Sequence, residues 1–455
     1  MENNKVNITL STQAFYDKYG RSKMVAICTL GCRVNVYESE AMTEKFIKEG
    51  YSLVPFEEYA DVYIINTCSV TNMGEKKSRQ MISRARRNNE DAIIAVVGCY
   101  SQISPEEVSL IEGVDVVLGT RNKSEILYWV NRSREEDKQF IKVNEVLKDK
   151  KFDDLNIEEY QDKTRAFLKI QDGCNRFCSY CLIPYARGAV CSKEPNKVLD
   201  ECNKLAQHGF KEIILSGIHI ASYGVDLKED INLVDIIEEI DKIQGIERIR
   251  IGSVEPGFFT EENIKRLCKC KKLCAQFHLS LQSGCDETLK RMNRYYNTDE
   301  YRNTVYKLRE YIRDVSITTD VIVGFPGETD EEFDKTYEYL KELKLSKMHI
   351  FKYSIRKGTK AAKMEAQVDG NIKEFRSSKL IELNKKNEVE FMNKFLMREE
   401  KVLFEQKVKG EENIFEGYTD NYIRVLAKSC ENIEGKILNV LLNTVEDEHI
   451  CGKII

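Results

Sequence analysis

The sequence lacks the features that mark secreted, membrane-embedded or strongly basic proteins. None of its apolar runs approaches the ~18 residues that a membrane-spanning helix needs, and its first residues contain no basic segment followed by an apolar one. Lys and Arg total 70 against 75 Asp and Glu, so the net charge of −5 exerts no overall attraction on a polyanion. We therefore expect a cytoplasmic protein without a membrane partner, in which local basic patches must hold any nucleic acid.

The cysteines also lack the pattern of a disulfide framework. Their number, 15 in 455 residues, is odd, and no secretion signal accompanies them. Metal binding by thiolates is the better starting hypothesis. At about 100–200 residues per domain, the chain should hold two to four domains. It contains neither an internal repeat nor a low-complexity tract.

The N-terminal part of the chain, residues 22–135, alternates apolar strands with segments of helical periodicity. This alternation predicts a parallel α/β sheet with helices on its faces. The first twenty or so residues fit nothing in the pattern, and we expect a loose extension there. Residues 131–160 are dense in charge, which is typical of a linker between domains. The predicted strands are one that starts at Met24 and those at 62–67, 92–98 and 114–119.

Two further domains are expected after this linker. Six strand and helix alternations within 160–391 predict an open, partial (β/α)6 barrel, with its active site at the carboxyl ends of the strands. A long helical stretch at 372–397 then leads into short strands within 394–455, which predict a small closed β-barrel of the OB-like kind. The predicted strands are 166–171, 212–217, 248–254, 276–282, 318–325 and 347–354, followed by 401–408, 413–420, 422–428, 435–445 and 448–455.

The most specific signal is the C-x3-C-x2-C run of Cys174, Cys178 and Cys181, directly after the first barrel strand. Three thiolates in so short a loop can ligate three irons of a 4Fe-4S cluster and leave the fourth iron without a protein ligand. A zinc knuckle is the alternative, but structural zinc normally takes four ligands. The next cysteine, Cys191, is ten residues away from Cys181. The pattern therefore favours an iron-sulfur cluster with an open iron.

Three other cysteines, Cys32, Cys68 and Cys99, each follow a predicted strand of the N-terminal sheet. The carboxyl ends of adjacent parallel strands share one edge, so these thiols can converge on one site. Spacing alone equally suits three small buried residues, because free cysteine is often fully buried. A third set, Cys268, Cys270 and Cys274, lies among lysines near a predicted helix end, and we interpret these as incidental thiols.

The cysteine loop resembles that of the radical S-adenosylmethionine (SAM) superfamily. The resemblance implies that Cys174, Cys178 and Cys181 hold a catalytic 4Fe-4S cluster whose open iron chelates SAM. It also implies that residues at the carboxyl ends of the barrel strands contact SAM, as a barrel active site requires. The expected cofactor-binding residues are Tyr180, Ser216, Gly217, Glu255, Gln282, Asp320 and Gly324.

The segments TLGCRVNVYESE, INTCSVTNMGEKKSRQ and VVGCYSQ resemble the N-terminal domain of the methylthiotransferases. This resemblance implies that Cys32, Cys68 and Cys99 bind a second 4Fe-4S cluster, whose open iron carries the sulfur to be inserted. QDGCNRFCSYCLIPYARG, SGIHIASYG and DVIVGFPGE resemble most the branch that modifies N6-threonylcarbamoyladenosine at tRNA position 37. The branch acting on isopentenyladenosine typically reads GCQMN where this chain has Gly31 to Asn35. One departure is Cys191, where relatives usually carry Arg.

Two basic stretches are candidates for RNA contact, with a solvated helix face as the alternative for each. Residues 75–87 carry six basic residues against one acid, and residues 290–313 interleave basic residues with five tyrosines. EGYTDNYIRV resembles the TRAM domain, a small RNA-binding module. Acids outnumber bases in the C-terminal barrel, so any contact there must rely on a one-sided patch or on Tyr418, Tyr422 and Arg424.

The resemblance implies an enzyme that adds a methylthio group to C2 of adenosine 37 in the anticodon loop of tRNA. Its cofactors would be two 4Fe-4S clusters and SAM, and its partners tRNA, an electron-donor protein and a sulfur source. Within the enzyme class, the alternative substrates are isopentenyladenosine 37 of tRNA and an aspartate of a ribosomal protein. An iron-sulfur protein that binds RNA or transfers electrons without catalysis is the alternative from another class.

Overall fold

The N-terminal domain is built on one parallel sheet. The computed structural model describes residues 6–69, 72–149, 151–157 and 164–455. The strands of the domain are ordered β2-β1-β3-β4-β5-β6, and β3 and β4 are buried along their whole length. The elements are α1 (Thr12–Tyr19), β1 (Lys23–Thr29), α2 (Arg33–Lys48), β2 (Tyr51–Leu53), β3 (Val62–Thr67), α3 (Asn72–Asn88), β4 (Ile93–Gly98), α4 (Cys99–Ile103), α5 (Pro105–Ser109), β5 (Val116–Leu118), a 3-10 helix (Lys123–Glu125), α6 (Ile126–Glu136) and β6 (Phe140–Lys142).

One expectation for this domain is wrong. From Val6 onward the N-terminal segment is not a loose extension, because Ile8 and Phe15 are fully buried in the core and α1 is capped by Ser11. Within the predicted linker 131–160, α6 runs to Glu136 and β6 pairs in parallel with β5, so part of the segment has regular structure. Both segments present few apolar residues, so their structure depends on the sheet that they meet rather than on their own periodicity.

The central domain has the expected open barrel. Strands β7, β10 and β11 form one parallel sheet, and β12, β13 and β14 form another. Parallel bridges from Ile249 to Leu273 and from Val254 to Leu279 join the two sheets. The elements are β7 (Arg165–Lys169), β8 (Gln171–Asp172), α7 (Ile183–Arg187), β9 (Cys191–Ser192), α8 (Pro195–Gln207), β10 (Glu212–Ser216), a 3-10 helix (Ile220–Ser222), α9 (Leu233–Asp241), β11 (Arg248–Ile251), a 3-10 helix (Pro256–Phe258), α10 (Glu261–Leu267), β12 (Gln276–His278), α11 (Asp286–Arg291), α12 (Thr298–Tyr311), β13 (Ser316–Val323), α13 (Asp330–Leu343), β14 (Lys347–Lys352), a 3-10 helix (Ala361–Lys363) and α14 (Gly370–Asn393).

The C-terminal domain is a closed five-stranded β-barrel, as the short strands predicted. It packs on the central domain through arginines of β7 and β11. The Arg165 guanidinium lies 2.7 Å from the Glu405 carboxylate, and Arg248 donates to the carbonyl oxygens of Tyr418 (2.8 Å) and Lys401 (2.7 Å). No helix in the described part of the chain is long and apolar enough to cross a membrane. The strands are β15 (Glu399–Lys407), β16 (Ile414–Tyr418), β17 (Arg424–Lys428), β18 (Ile437–Glu446) and β19 (His449–Ile454).

A buried ionic network joins the N-terminal and central domains. Glu38 of α2 accepts hydrogen bonds from Lys169 (2.7 Å), Arg187 (2.5 Å) and Lys123. Asp172 pairs with Lys169 at 2.6 Å and with Arg187 at 3.2 Å. Burial alone would raise the pKa of Glu38, but Arg187, Lys123 and Lys169 outweigh it and hold that pKa well below its ordinary value. Both carboxylates therefore stay ionised, and the network fixes α2 against the start of the cysteine loop.

Candidate functional site

The three cysteines of the central domain lie on one tight loop after β8. Gly173 opens the loop with φ +74°, and a Cβ at this position would lie 2.0 Å from the Ala189 carbonyl oxygen, so only glycine fits. Backbone amides within the loop point at sulfur, since Arg176 N lies 3.5 Å from Cys174 Sγ and Ile183 N lies 3.4 Å from Cys181 Sγ. The turn thus places one backbone N–H donor beside the first thiol of the loop and one beside the last.

The charges around these thiols suit a cluster bound by thiolates. Burial is the main cause that raises the pKa of Cys174 to about 11 and that of Cys181 to about 12; Cys178 acts in the same direction, and the backbone N–H groups of Arg176 and Ile183 act against it. Arg294 donates a hydrogen bond of 3.2 Å to Cys178 Sγ. Three soft sulfur donors with an arginine and amide donors beside them match the needs of a 4Fe-4S cluster, because such hydrogen bonds stabilise its sulfur ligands. The residues present therefore fit this group.

Two arginines and a histidine surround Glu255 beside the cysteine loop. Its carboxylate lies 2.8 Å from Arg176, 3.1 Å from Arg294 and 3.3 Å from His219 Nε2. Burial raises the pKa of Glu255, but the hydrogen bond to His219 and the charge of Arg294 outweigh this and lower it overall. Glu255 is therefore a carboxylate that links β11 to the cluster loop through Arg294.

A cavity of about 1020 Å³ lies where the three domains meet. Four of the predicted site residues line it: Cys32 from the N-terminal domain and Ser216, Gly217 and Asp320 from strand ends of the central domain. A Cβ at Gly217 would lie 2.8 Å from the side-chain oxygen of Gln171, so the absence of a side chain keeps this wall close-packed. The C-terminal barrel contributes Tyr418, Tyr422 and Arg424 to the same cavity.

Three other predicted SAM contacts, Tyr180, Gln282 and Gly324, are not among the residues that line this cavity. Tyr180 is next to the cluster cysteines and packs edge-on against Phe325, with ring centroids 6.3 Å apart. Gln282 has φ +75°, and its backbone N–H donates to the Asp320 carbonyl oxygen at 2.9 Å. Gly324 has φ +69° and donates from its backbone N–H to Glu328. Their roles toward SAM stay predictions, and Gly324 visibly shapes the loop after β13.

The N-terminal cysteines share one edge of their sheet. Cys32 precedes α2, Cys68 follows β3 and Cys99 begins α4 directly after β4. Burial raises the pKa of Cys99, with a smaller contribution from Cys32, and Arg187 and Lys123 act in the opposite direction. A Cβ placed on Gly31 would meet Cys68 Sγ at 2.8 Å. The turn before Cys32 therefore packs directly on Cys68, and a shared site for the three thiols fits this placement.

We expect Gly31→Ala to weaken iron binding at the N-terminal cysteines about 10- to 100-fold, the usual cost of disturbing the surroundings of a ligand. The added Cβ would displace Cys68, and φ +101° strains any residue other than glycine. The measurement is iron content after anaerobic reconstitution in a Cys174→Ala background, which isolates this site. Gly257→Ala is the matched control, because its Cβ would meet nothing within 4 Å. Unchanged iron in Gly31→Ala would contradict the shared site.

Sequence patterns did not single out several residues of the site. Arg294 falls within a basic stretch, and its contact with Cys178 arises because the loop after α11 folds back on the barrel mouth. His278 and His349 bring their ligand atoms within 4.8 Å of those of Asp320, a predicted SAM contact, on the cavity wall. His278 Nε2 lies 3.3 Å from Asp320, and its Nδ1 is 3.1 Å from Thr318 Oγ1. Only the alignment of β12, β13 and β14 brings these residues together.

Many charges in the two predicted RNA-binding stretches are already paired. In α3, Arg84 pairs with Glu57 at 3.2 Å and Arg86 with Asp115 at 3.2 Å. In the second stretch Arg302 pairs with Glu342 at 2.9 Å, and the side chains of Tyr296 and Tyr301 are buried. These contacts leave less free positive charge than the residue counts suggest.

The remaining cysteines have separate surroundings. The thiol of Cys191 accepts a hydrogen bond from the guanidinium of Arg121. Cys268 is exposed, whereas Cys270 and Cys274 are buried. Cys268 Sγ lies 3.7 Å from the Tyr311 carbonyl oxygen and Cys270 Sγ lies 3.9 Å from that of Arg266. Their interpretation as incidental thiols stays a prediction.

Comparison with known proteins agrees with this geometry. Residues 24–119 match the model described as "Uncharacterized protein family UPF0004", and residues 168–340 match the Radical SAM superfamily. A radical SAM methyltransferase from Kitasatospora setae, TsrM, shares the fold over 75% of this chain and 77% of its own, with a TM-score of 0.58 and 14% identity. Fold and cysteine loop together define a radical SAM protein.

Relatives that match more than 90% of this chain show which radical SAM family it belongs to. "Threonylcarbamoyladenosine tRNA methylthiotransferase MtaB" of Bacillus subtilis is 44% identical over 91% of this chain and 93% of its own, and the Aquifex aeolicus protein of that name is 41% identical over 92% and 100%. A "tRNA-2-methylthio-N(6)-dimethylallyladenosine synthase" of Clostridium botulinum is 35% identical over 93% and 95%. The chain belongs to the radical SAM methylthiotransferase family.

Proposed function

We propose that this protein inserts a methylthio group at C2 of N6-threonylcarbamoyladenosine 37 in tRNA. The observation that carries the proposal is the 44% identity to the Bacillus subtilis threonylcarbamoyladenosine enzyme over nearly the whole length of both chains. The relatives named for dimethylallyladenosine are less similar, at 35–36%. A tRNA substrate implies the cytoplasm as the place of the reaction.

The shape of the site supports this reaction. The cavity is lined by Cys32 on one side and by Ser216, Gly217 and Ile183 on another, and the backbone N–H of Ile183 donates to Cys181 Sγ at 3.4 Å. We propose on this basis that the two cysteine sets serve one substrate space. The C2–H bond of adenine is unactivated, and a 4Fe-4S cluster with SAM at Cys174, Cys178 and Cys181 supplies radical chemistry suited to it. The protein itself orients the cysteine loop through Arg294 and Glu255, and the three thiols are half-buried.

We further propose that Cys32, Cys68 and Cys99 hold a second 4Fe-4S cluster that presents the sulfur. The position of Cys32 on the cavity wall supports this role, because sulfur held there faces the substrate space. The reaction then also needs an electron-donor protein and a source of sulfur. The C-terminal barrel, which resembles a TRAM domain, brings the stacked pair Tyr418 and Tyr422, with centroids 4.7 Å apart, to the same cavity. We propose that this barrel contributes to holding the anticodon loop.

The test uses protein reconstituted without oxygen, SAM, a reductant, sulfide and anticodon stem-loop RNAs. One RNA carries threonylcarbamoyladenosine at position 37 and the other dimethylallyladenosine. We expect mass spectrometry of the nucleosides to show methylthio addition only in the first. Addition to the second RNA alone would assign the protein to the dimethylallyladenosine enzymes. Clusters that form but leave SAM uncleaved would instead indicate a non-catalytic iron-sulfur protein.

A further inference from the structure

Arg33 lies on the wall of the cavity between the three domains, directly after Cys32. It is the first residue of α2, and its side chain is exposed. Its guanidinium carbon lies 5.9 Å from the centre of the Phe167 ring on β7. The side chain therefore extends from the N-terminal domain toward the barrel, beside the thiol that we propose as a cluster ligand.

The other cations of the cavity wall have carboxylate partners. Lys347 lies 3.2 Å from Glu388, and Arg424 donates a hydrogen bond of 2.9 Å to Glu416. In the part of the chain that the structure describes, Arg33 has no such partner within ion-pair distance. Among the described residues that line the cavity, Arg33 is thus the guanidinium without a carboxylate partner.

The surroundings of Arg33 make this charge unusual. Two further guanidinium groups, those of Arg165 and Arg250, lie near it. Arg165 and Arg250 are themselves paired with Glu405 and Glu212, at 2.7 Å and 3.0 Å. The exposed and unpaired guanidinium of Arg33 is therefore the one of the three that is available to an anion in the cavity. A guanidinium matches a carboxylate particularly well, because its planar N–H donors pair with both oxygens.

We propose that Arg33 binds the carboxylate of the N6-threonylcarbamoyl group and so selects the substrate, an inference that rests on the proposed function. In adenine, C2 and C6 are both bonded to N1, so the N6 substituent starts close to the atom that receives sulfur. A group that holds this substituent must lie near the sulfur-presenting cysteine, and Arg33 is its direct neighbour in the chain. An apolar dimethylallyl group offers nothing to this guanidinium and would bury it without compensation.

The test compares two anticodon stem-loop RNAs that differ only at the threonyl end, one with the carboxylate and one with the carboxamide. We expect wild-type protein to prefer the carboxylate about 10- to 100-fold in kcat/KM, the range for a hydrogen-bonded charge. Arg33→Gln should lose most of this preference by slowing reaction with the carboxylate, and Arg33→Lys should keep part of it. Iron content and 5′-deoxyadenosine formation should match wild type, because these do not need the substrate carboxylate.

Arg132→Gln is the matched control, since Arg132 pairs with Glu136 on the exposed face of α6 and should not affect the preference. The inference would be overturned if wild-type protein modified both RNAs equally well, or if Arg33→Gln kept the preference. In either case, methylthiolation of the RNA would still support the proposed function. An equal loss on both RNAs would assign Arg33 a structural role and also overturn it. If wild type modifies neither RNA, the proposed function fails and the inference with it.

Discussion

Replacing Cys174 by alanine is expected to abolish 5′-deoxyadenosine formation and methylthiolation, a loss of at least about 10³-fold of the kind seen when one member of a catalytic unit is removed. Only two thiols of the loop would remain, and the Arg176 amide would lose the sulfur at 3.5 Å that it faces. The measurement is chromatography of SAM products after anaerobic reconstitution.

Cys430→Ala is the control for the loss of a thiol as such. Cys430 is exposed on the C-terminal barrel, and its replacement should leave SAM cleavage and iron content unchanged. If Cys174→Ala still formed 5′-deoxyadenosine at the wild-type rate, the assignment of the loop to SAM cleavage would be wrong. If zinc, rather than iron, filled the wild-type loop in protein made without oxygen, the same conclusion would follow.

Glu38→Gln is expected to lower the free energy of unfolding by about 3–5 kcal/mol, the usual cost of removing one partner from a buried ionic network. The substitution keeps the volume of the side chain. It leaves Lys169 and Arg187 with Asp172 as their carboxylate partner, whereas Lys123 keeps its hydrogen bond of 2.9 Å to Asn66. Chemical denaturation followed by circular dichroism measures the change. Glu136→Gln, which removes an exposed partner of Arg132, should leave the unfolding curve in place.

The same variant should change the pH dependence of stability. The folded pKa of Glu38 lies below its ordinary value of 4.5, so the ionised carboxylate stabilises the fold above that pH. This contribution is lost as the pH falls through the folded pKa. Glu38→Gln should therefore flatten part of the acid arm of the stability curve. An unchanged acid arm together with unchanged stability would show that the network contributes nothing to the fold.

The sequence predicted the architecture well where local signals were strong. Every strand predicted for the barrel and the C-terminal domain exists, because runs such as 212–217 and 422–428 combine apolar residues with turn signals at their ends. The expectation of a loose extension failed at the N-terminal segment, where Phe15 is buried by contact with a sheet assembled from other parts of the chain. Strand β6 was not predicted either, because its position depends on pairing with β5 rather than on an apolar pattern of its own.

The candidate site was predicted unevenly for a related reason. The loop of Cys174, Cys178 and Cys181 is visible in sequence because its ligands lie within eight consecutive residues. The set of Cys32, Cys68 and Cys99 needed the resemblance to a family, because spacing left a second interpretation open. Arg294 was noted only as part of a basic stretch, and its contact with Cys178 had no sequence signal, since 116 positions separate the two residues.

By itself the sequence determined the order of strands and helices and the cysteine loop, because these follow from backbone propensity and from spacing along the chain. The tertiary structure alone decided which side chains meet: Glu38 with Lys169 and Arg187, Glu255 with Arg294, and Arg33 with an open cavity. Such contacts depend on how the elements of the barrel and the three domains pack. The energies of these contacts come from burial and from charges that lie close together in space. The spacing of the residues along the chain does not predict which charges become neighbours.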